Sequence, residues 1–359
     1  MNTAFWRGRR VLLTGHTGFK GSWIALWLHA MGAEVVGYAL PPEGAHPLFD
    51  LAHVRATLTS IEGDVRDAEH VADVVRAHEP EIVLHMAAQA LVRPSYRHPL
   101  ETYATNVMGT AHVLEAVRRA PTPPRVVLCV TSDKCYENRE TEVPYVEGDP
   151  MGGADPYSSS KGCAELVTAA YRRSFFPPER VAEHGVVVAS ARAGNVIGGG
   201  DWATDRLVVD VVSAYLEGRT PRIRNPGAVR PWQFVLEPLA GYLQLVAYAF
   251  ERPERAASGW NFGPALADCQ PVSSVVDGLA AGWGDGVGWE RDHHGQVHEA
   301  QLLLLDAAKA RRELGWRPRY ALADALDRTV AWYRAYRHGH NVAALTRDQI
   351  AAYQRLVVA

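Results

Sequence analysis

The chain has 359 residues, of which 47% are hydrophobic and 21% charged. That balance excludes a disordered chain, and the length exceeds what one small core needs, which leaves one large α/β domain with an appended lobe or two domains. A formal net charge of −3 excludes bulk attraction to nucleic acid or to an anionic membrane, so any anion must be held by a local site.

In chain order, the first half alternates short β-branched runs with amphipathic helical stretches, the pattern of a doubly wound parallel sheet. Val11–Thr14 reads as the first strand and Lys20–Met31 as a helix. Glu34–Ala39 and Thr57–Ile61 follow as strands, then Asp67–His78 as a helix and Ile82–His85 as the fourth strand. A long helix over Pro99–Arg119 leads to a fifth strand at Arg125–Val130, a helix at Pro156–Phe175 and a sixth strand at Val186–Ala191. Prolines at Pro41-Pro42, Pro121–Pro124 and Pro177-Pro178 punctuate these units, as helix and strand breakers should. Beyond Arg192 the rhythm loosens. Residues 194–230 read as an excursion over the sheet's edge, Leu236–Glu251 as a helix, Trp260–Phe262 as a short strand, and 271–336 as a small, mostly helical lobe.

The four cysteines (Cys129, Cys135, Cys163, Cys269) show no paired spacing and read as reduced thiols rather than a disulfide framework. The basic start at Arg7–Arg10 precedes only three apolar residues, too few for a signal peptide, and no stretch has the length to span a bilayer. A cytoplasmic protein is expected, with no membrane or nucleic-acid partner.

The first strand runs into Thr14-Gly15-His16-Thr17-Gly18-Phe19-Lys20-Gly21, and a helix follows. Glycines at this spacing let the backbone turn sharply, approach a pyrophosphate and pack helix on strand, while the helix start presents free N–H groups to the anion. The spacing is G-x-x-G-x-x-G, and its place at the head of a βαβ series points to a dinucleotide. Gly15, Thr17, Gly18, Phe19 and Gly21 are the expected contacts. The second strand ends Gly37-Tyr38-Ala39-Leu40-Pro41 with neither an acid for the adenosine ribose nor an arginine for a 2′-phosphate, so this position leaves NAD and NADP both open. Asp64, followed by Val65, is placed to cap a helix, to meet the adenine, or both. The expected architecture is α/β: a Rossmann-type doubly wound parallel sheet with a smaller C-terminal substrate-binding lobe. Residues 1–192, with 232–263 returning to them, would hold NAD, and 193–231 with 264–359 would form the lobe.

Tyr157 and Lys161 lie four apart at a helix start and share a face. A tyrosine with a pKa of about 10 is a poor base at neutral pH. A lysine ammonium one turn away, with a nicotinamide cation, would favour its phenolate. Thr131-Ser132 closes the preceding strand, where a hydroxyl can bond the substrate hydroxyl that Tyr157 deprotonates. Asp133 beside it is placed to give a proton to a leaving hydroxyl; a strand-end turn aspartate is the alternative.

The glycine loop, Ser132, Tyr157 and Lys161 together resemble the short-chain dehydrogenase/reductase superfamily, and the length and second lobe resemble its extended branch, which works on nucleotide sugars. The resemblance implies that Ala87 and Ala88, in His85-Met86-Ala87-Ala88-Gln89, lie beside the cofactor, and that Asn106 is a structural asparagine. It implies sugar-nucleotide contacts from Arg192 and Asn195, a diphosphate grip from Arg230, and further substrate contacts from Arg93 and Arg206. A structural salt bridge is the other reading for Arg192 and Arg230. A dimer through the Pro99–Arg119 and Pro156–Phe175 helices is also implied, with Val107, Ala111 and Leu114 either outward or on the sheet.

The wording of Gly15–Trp23, Ser132–Tyr136, Pro150–Gly153, Gly194–Trp202 and Arg230–Gln233 is similar to the CDP-linked group of 4,6-dehydratases within that branch. This implies dehydration of CDP-D-glucose to CDP-4-keto-6-deoxy-D-glucose with bound NAD. The similar dTDP-linked group carries a glutamate where this chain has Lys134, so Lys134 is either the base at C5 or an anion-binding group. A sugar-nucleotide 4-epimerase is the rival enzyme, and a non-catalytic NAD(P) sensor would not need Ser132, Tyr157 and Lys161. Asp292-His293-His294, with His298-Glu299, reads as a polar surface turn rather than a metal site.

Overall fold

Strands buried on both faces need near-continuous apolar runs, and Val11–Leu13, Ile82–Leu84 and Val126–Cys129 supply them. In the computed structural model, which describes residues 2–292 and 302–358, these runs are the middle of a seven-stranded parallel sheet. Its strands are β1 (Arg10–Thr14), β2 (Glu34–Ala39), β3 (Thr59–Glu62), β4 (Ile82–His85), β5 (Val126–Val130), β6 (Val187–Ala193) and β7 (Gly259–Phe262), in the order β7-β6-β5-β4-β1-β2-β3. β1 pairs with β2 on one side and β4 on the other. The chain reverses direction across the sheet there, which opens a crevice at the carboxyl ends of the strands.

Alternate side chains serve the two faces. Leu13, Leu84, Leu128 and Ala189 join one buried cluster, while Leu12, Val83, Val127 and Val188 join a second on the opposite face. The second cluster is covered by α2 (Ala68–His78) and by the run 99–119, here α3. The first is covered by α1 (Phe19–Ala30) and α5 (Leu236–Glu251), and it continues into α6 (Leu322–Arg337) and α7 (Val342–Val358). The α7 helix lies on α1, where Trp27 meets Tyr353 edge-on at 5.6 Å and donates to Gln354 at 2.9 Å. The helix α4 (Pro156–Ser174) starts where the sequence forces it to. Asp155 accepts from the Ser158 N–H, and Pro156 fills the first position.

Some expectations shift. The third strand begins at Thr59, because residues 54–57 close a tight helical turn in which the Thr57 hydroxyl donates to the Val54 carbonyl. The long helix is interrupted by a π-turn at Ala104–Met108, which contains Asn106. Leu114 faces the sheet, while Leu100 (84% exposed) and Met108 (50%) turn outward. All four cysteines are free thiols. Among the described residues no helix is long and apolar enough to cross a membrane, and no cluster could hold a metal. His293, His294 and His298 lie outside the described residues.

Candidate active site

A cleft of about 1690 Å³ runs along the carboxyl ends of the strands. A single small ligand takes roughly 300–1,000 Å³, so the cleft has room for a cofactor and a substrate together. It is lined by Gly15, Thr17, Gly18, Phe19, Gly21, Asp64, Val65, Ala87 and Ala88 at one end, and by Arg93, Asn195, Arg206 and Arg230 toward the other. Ser132, Asp133, Lys134, Tyr157 and Lys161 stand between them.

The first end is made of backbone. Gly15 adopts φ +78°, and a Cβ there would stand 2.8 Å from the Ala87 nitrogen; a Cβ on Gly21 would stand 2.0 Å from the Gly15 carbonyl oxygen. At Gly18 the nearest such contact is 3.5 Å. Gly18 caps α1 without a side-chain bond, so the N–H groups of the first turn have no side-chain partner. The 86–87 segment is tied to the same loop. The Thr14 hydroxyl accepts from the Met86 and Ala87 N–H groups, so its own proton goes to His85 Nδ1 at 2.8 Å. His85 is then protonated on Nε2, which donates to Thr110 at 3.1 Å, and burial holds it neutral with a pKa of about 3. Asp64 caps no helix; Asp67 takes that role. Asp64 instead grips Arg66 through both oxygens, which keeps its carboxyl below the usual range, and both residues line the cleft. No acid stands at the end of β2, where the Thr17 hydroxyl donates to the Leu40 carbonyl.

In the middle, Ser132 donates to Asp133 Oδ1 at 2.9 Å, and the other carboxyl oxygen is buried with no hydrogen-bond partner among the described residues. Burial raises the Asp133 carboxyl despite Lys134, Ser132 and Arg230 pulling it down. Tyr157 is pushed up to about 12 by burial, with Ser132 and Arg206 lowering it and Asp133 raising it. Lys161 is lowered to about 8 by burial. The Lys134 ammonium stands 5.9 Å from the Tyr157 ring centre. Asn106 holds Gln89 through both its amide groups and donates to Ser160, one residue before Lys161.

Five cations that line the cleft were missed: Lys20, Arg66, Arg219, Arg222 and Arg224. Lys20 reaches the Tyr242 hydroxyl at 3.0 Å, and burial, then Lys161 and Arg206, lower it to about 7 while Asp133 opposes them. The available sequence clue was a lysine inside a glycine loop whose geometry asks only for small residues.

The arginines divide. Arg93 bridges to Asp205 at 3.0 Å and Arg206 to Asp201 at 2.6 Å, both within the cleft wall. Arg230 donates to its neighbour's carbonyl and is close enough to act on the Asp133 carboxyl. Arg192 corrects an expectation. It does not line the cleft but pairs with Glu165 at 2.8 Å in the interior, because β6 directs alternate side chains beneath the site rather than into it.

A parallel sheet with its cleft at the switch point, a glycine cradle and a Ser-Tyr-Lys group define a nucleotide-binding oxidoreductase-type enzyme. The chain belongs to the family described as GDP-mannose 4,6 dehydratase, whose model matches residues 12–250, within the extended branch that the sequence resembles. A CDP-glucose 4,6-dehydratase of Salmonella typhimurium is 48% identical, over 97% of this chain and 97% of that protein. A UDP-glucose 4-epimerase of Mycolicibacterium smegmatis is 29% identical over 90% and 98%. Among solved structures, a dTDP-glucose 4,6-dehydratase of Streptomyces venezuelae with NAD bound superposes with a TM-score of 0.76 at 26% identity, covering 93% of this chain and 99% of that one.

Proposed function

We propose that the chain is an NAD-dependent lyase that dehydrates CDP-D-glucose to CDP-4-keto-6-deoxy-D-glucose. Asp133 carries this reading. It is a buried carboxyl held toward its protonated form, with one oxygen lacking a partner, beside the hydroxyl group and tyrosine that act at C4. An epimerase oxidises, rotates and reduces, and has no hydroxyl to expel. The 48% identical relative supports CDP-glucose as the substrate.

The glycine cradle fits a dinucleotide, since a side chain at position 15 or 21 would fill the space its backbone leaves. Gly15, Thr17, Gly18, Phe19 and Gly21 would hold the pyrophosphate, Asp64 and Val65 the adenosine, and Ala87, Ala88, Tyr157 and Lys161 the nicotinamide half. Bound NAD supplies a reversible two-electron acceptor beside the sugar and the positive charge of its oxidised ring. Tyr157 takes the proton of the sugar 4-hydroxyl, with Ser132 orienting it and the Lys161 ammonium favouring the phenolate. The 4-ketone makes the C5 proton acidic, and Lys134 is the residue assigned to it. Asp133 delivers its proton to the departing 6-hydroxyl and water leaves; the hydride equivalent removed at C4 is returned to C6 as C5 regains a proton, so no net redox change occurs. Arg93, Arg206 and Arg230, planar cations suited to a diphosphate, and Asn195 would hold the nucleotide. Residues 1–192 with 232–263 would form the cofactor half, and 193–231 with 264–359 the substrate half, with the last helix, α7, packed back on α1 of the cofactor half. Outward Leu100, Met108 and Leu166 on α3 and α4 support a homodimer through those helices, in the cytoplasm.

Mass spectrometry of CDP-, dTDP-, UDP- and GDP-hexoses incubated with the protein and NAD tests the reading. Loss of one water from CDP-glucose alone is expected; an unchanged mass with inverted C4 would make the chain an epimerase. Lys134→Ala should abolish solvent exchange at C5 while leaving C4 oxidation in place. Normal turnover by that variant would remove Lys134 from the mechanism.

A further inference from the structure

The buried pair Glu165–Arg192 takes no part in the chemistry above, yet it joins the elements that carry it. Glu165 lies one turn beyond Lys161 on α4. Its Oε1 accepts from the Thr131 hydroxyl at 2.5 Å, and Thr131 immediately precedes Ser132. Its Oε2 accepts from Ser190 at 2.7 Å and from Arg192 Nη2 at 2.8 Å, both on β6. Arg192 Nη1 then donates to the Tyr136 hydroxyl at 2.7 Å and to the Glu147 carbonyl at 3.1 Å. The Tyr136 hydroxyl passes its own proton to Asn261 Oδ1 on β7 at 2.7 Å. The segment 131–136, which carries Ser132, Asp133 and Lys134, is thereby tied at both ends to the helix that carries Tyr157 and Lys161.

The pair is almost fully enclosed, with the Arg192 side chain 6% and the Glu165 side chain 3% exposed. Room for it is kept by Gly259, where a Cβ would stand 2.5 Å from a guanidinium nitrogen. Taking two charges out of water is costly, and apolar side chains of similar volume often hold a fold equally well. Here the charges also direct hydrogen bonds to Thr131 and Tyr136, at the two ends of the catalytic segment. We propose that Glu165 and Arg192 are positioning residues, which set the Ser132–Lys134 turn against the Tyr157–Lys161 pair and so act on kcat rather than on binding. This rests on the dehydratase reading above.

Two variants of the full-length protein separate positioning from mere stability. Thr131→Val removes one hydroxyl and keeps the shape; kcat should fall about tenfold with KM for CDP-glucose unchanged and Tm within a few degrees of the parent. The double variant Glu165→Leu with Arg192→Met removes both charges; Tm should be near the parent's while kcat stays down on the order of a hundredfold. A double variant that recovers kcat along with Tm, or Thr131→Val with parental kcat, overturns the proposal. Crystals of Thr131→Val give a readout independent of turnover. If the parent leaves CDP-glucose unchanged, the dehydratase reading fails, and residues 131–136 then decide alone: displaced from Tyr157 they support positioning, superimposed they refute it.

Discussion

The two ends of the cleft are built from different materials. Around the glycine loop, the lining comes from backbone: Gly15 and Gly21 sit where a Cβ would strike main-chain atoms, and Thr14 laces the loop to residues 86–87. Around Arg93 and Arg206, the wall is side chains on irregular segments, braced by Asp205 and Asp201. A backbone cradle has few ways to be made and leaves a fixed spacing in the sequence. A wall of long cations can be assembled from many places in the chain, and it leaves almost none.

Substitutions at the two ends should therefore separate cleanly. Tyr157→Phe removes the proton acceptor between them, so kcat should drop roughly a thousandfold. The Kd for CDP should stay near parental and NAD binding should weaken far less than kcat falls; a loss of NAD affinity as large as the loss in kcat would mean that Tyr157 serves binding first. Gly21→Ala meets a carbonyl oxygen that cannot give way. NAD should bind about a hundredfold more weakly by titration calorimetry, with CDP unaffected. Arg230→Ala should do the converse, raising KM for the nucleotide sugar about tenfold at unchanged NAD affinity. If either of these two variants moved both affinities alike, the division between the ends would be broken. The smallest effect is in pH. Lys161, lowered to about 8 by burial, is charged below that pH and discharged above it. Activity should decline as pH rises through about 8, and a kcat profile flat to about pH 9 would remove its charge from the mechanism.

The same contrast governs what could be read in advance. The strand positions, the glycine loop and the Asp155-Pro156-Tyr157 helix start are local, set by apolar periodicity, steric allowance at glycine and capping chemistry. They follow from residues that are neighbours in sequence. Arg192 shows the opposite case. The family resemblance implied a ligand contact, with a structural salt bridge as the other reading, and the salt bridge is what forms: the direction of the side chain is set by the pleat of β6, and its partner Glu165 is 27 residues away. The upward shift of the Tyr157 hydroxyl is of the same kind, because its largest cause is burial by surrounding elements.

By itself, the sequence determined the strands of the parallel sheet, the glycine cradle and the Tyr157–Lys161 pair on one helix face, since each depends on short-range geometry that only certain residues allow. Only the tertiary structure decided which cations face the cleft, that Lys20 joins them, and that Arg192 braces the site from beneath. Burial and long-range pairing are properties of the packed chain, and no local spacing encodes them.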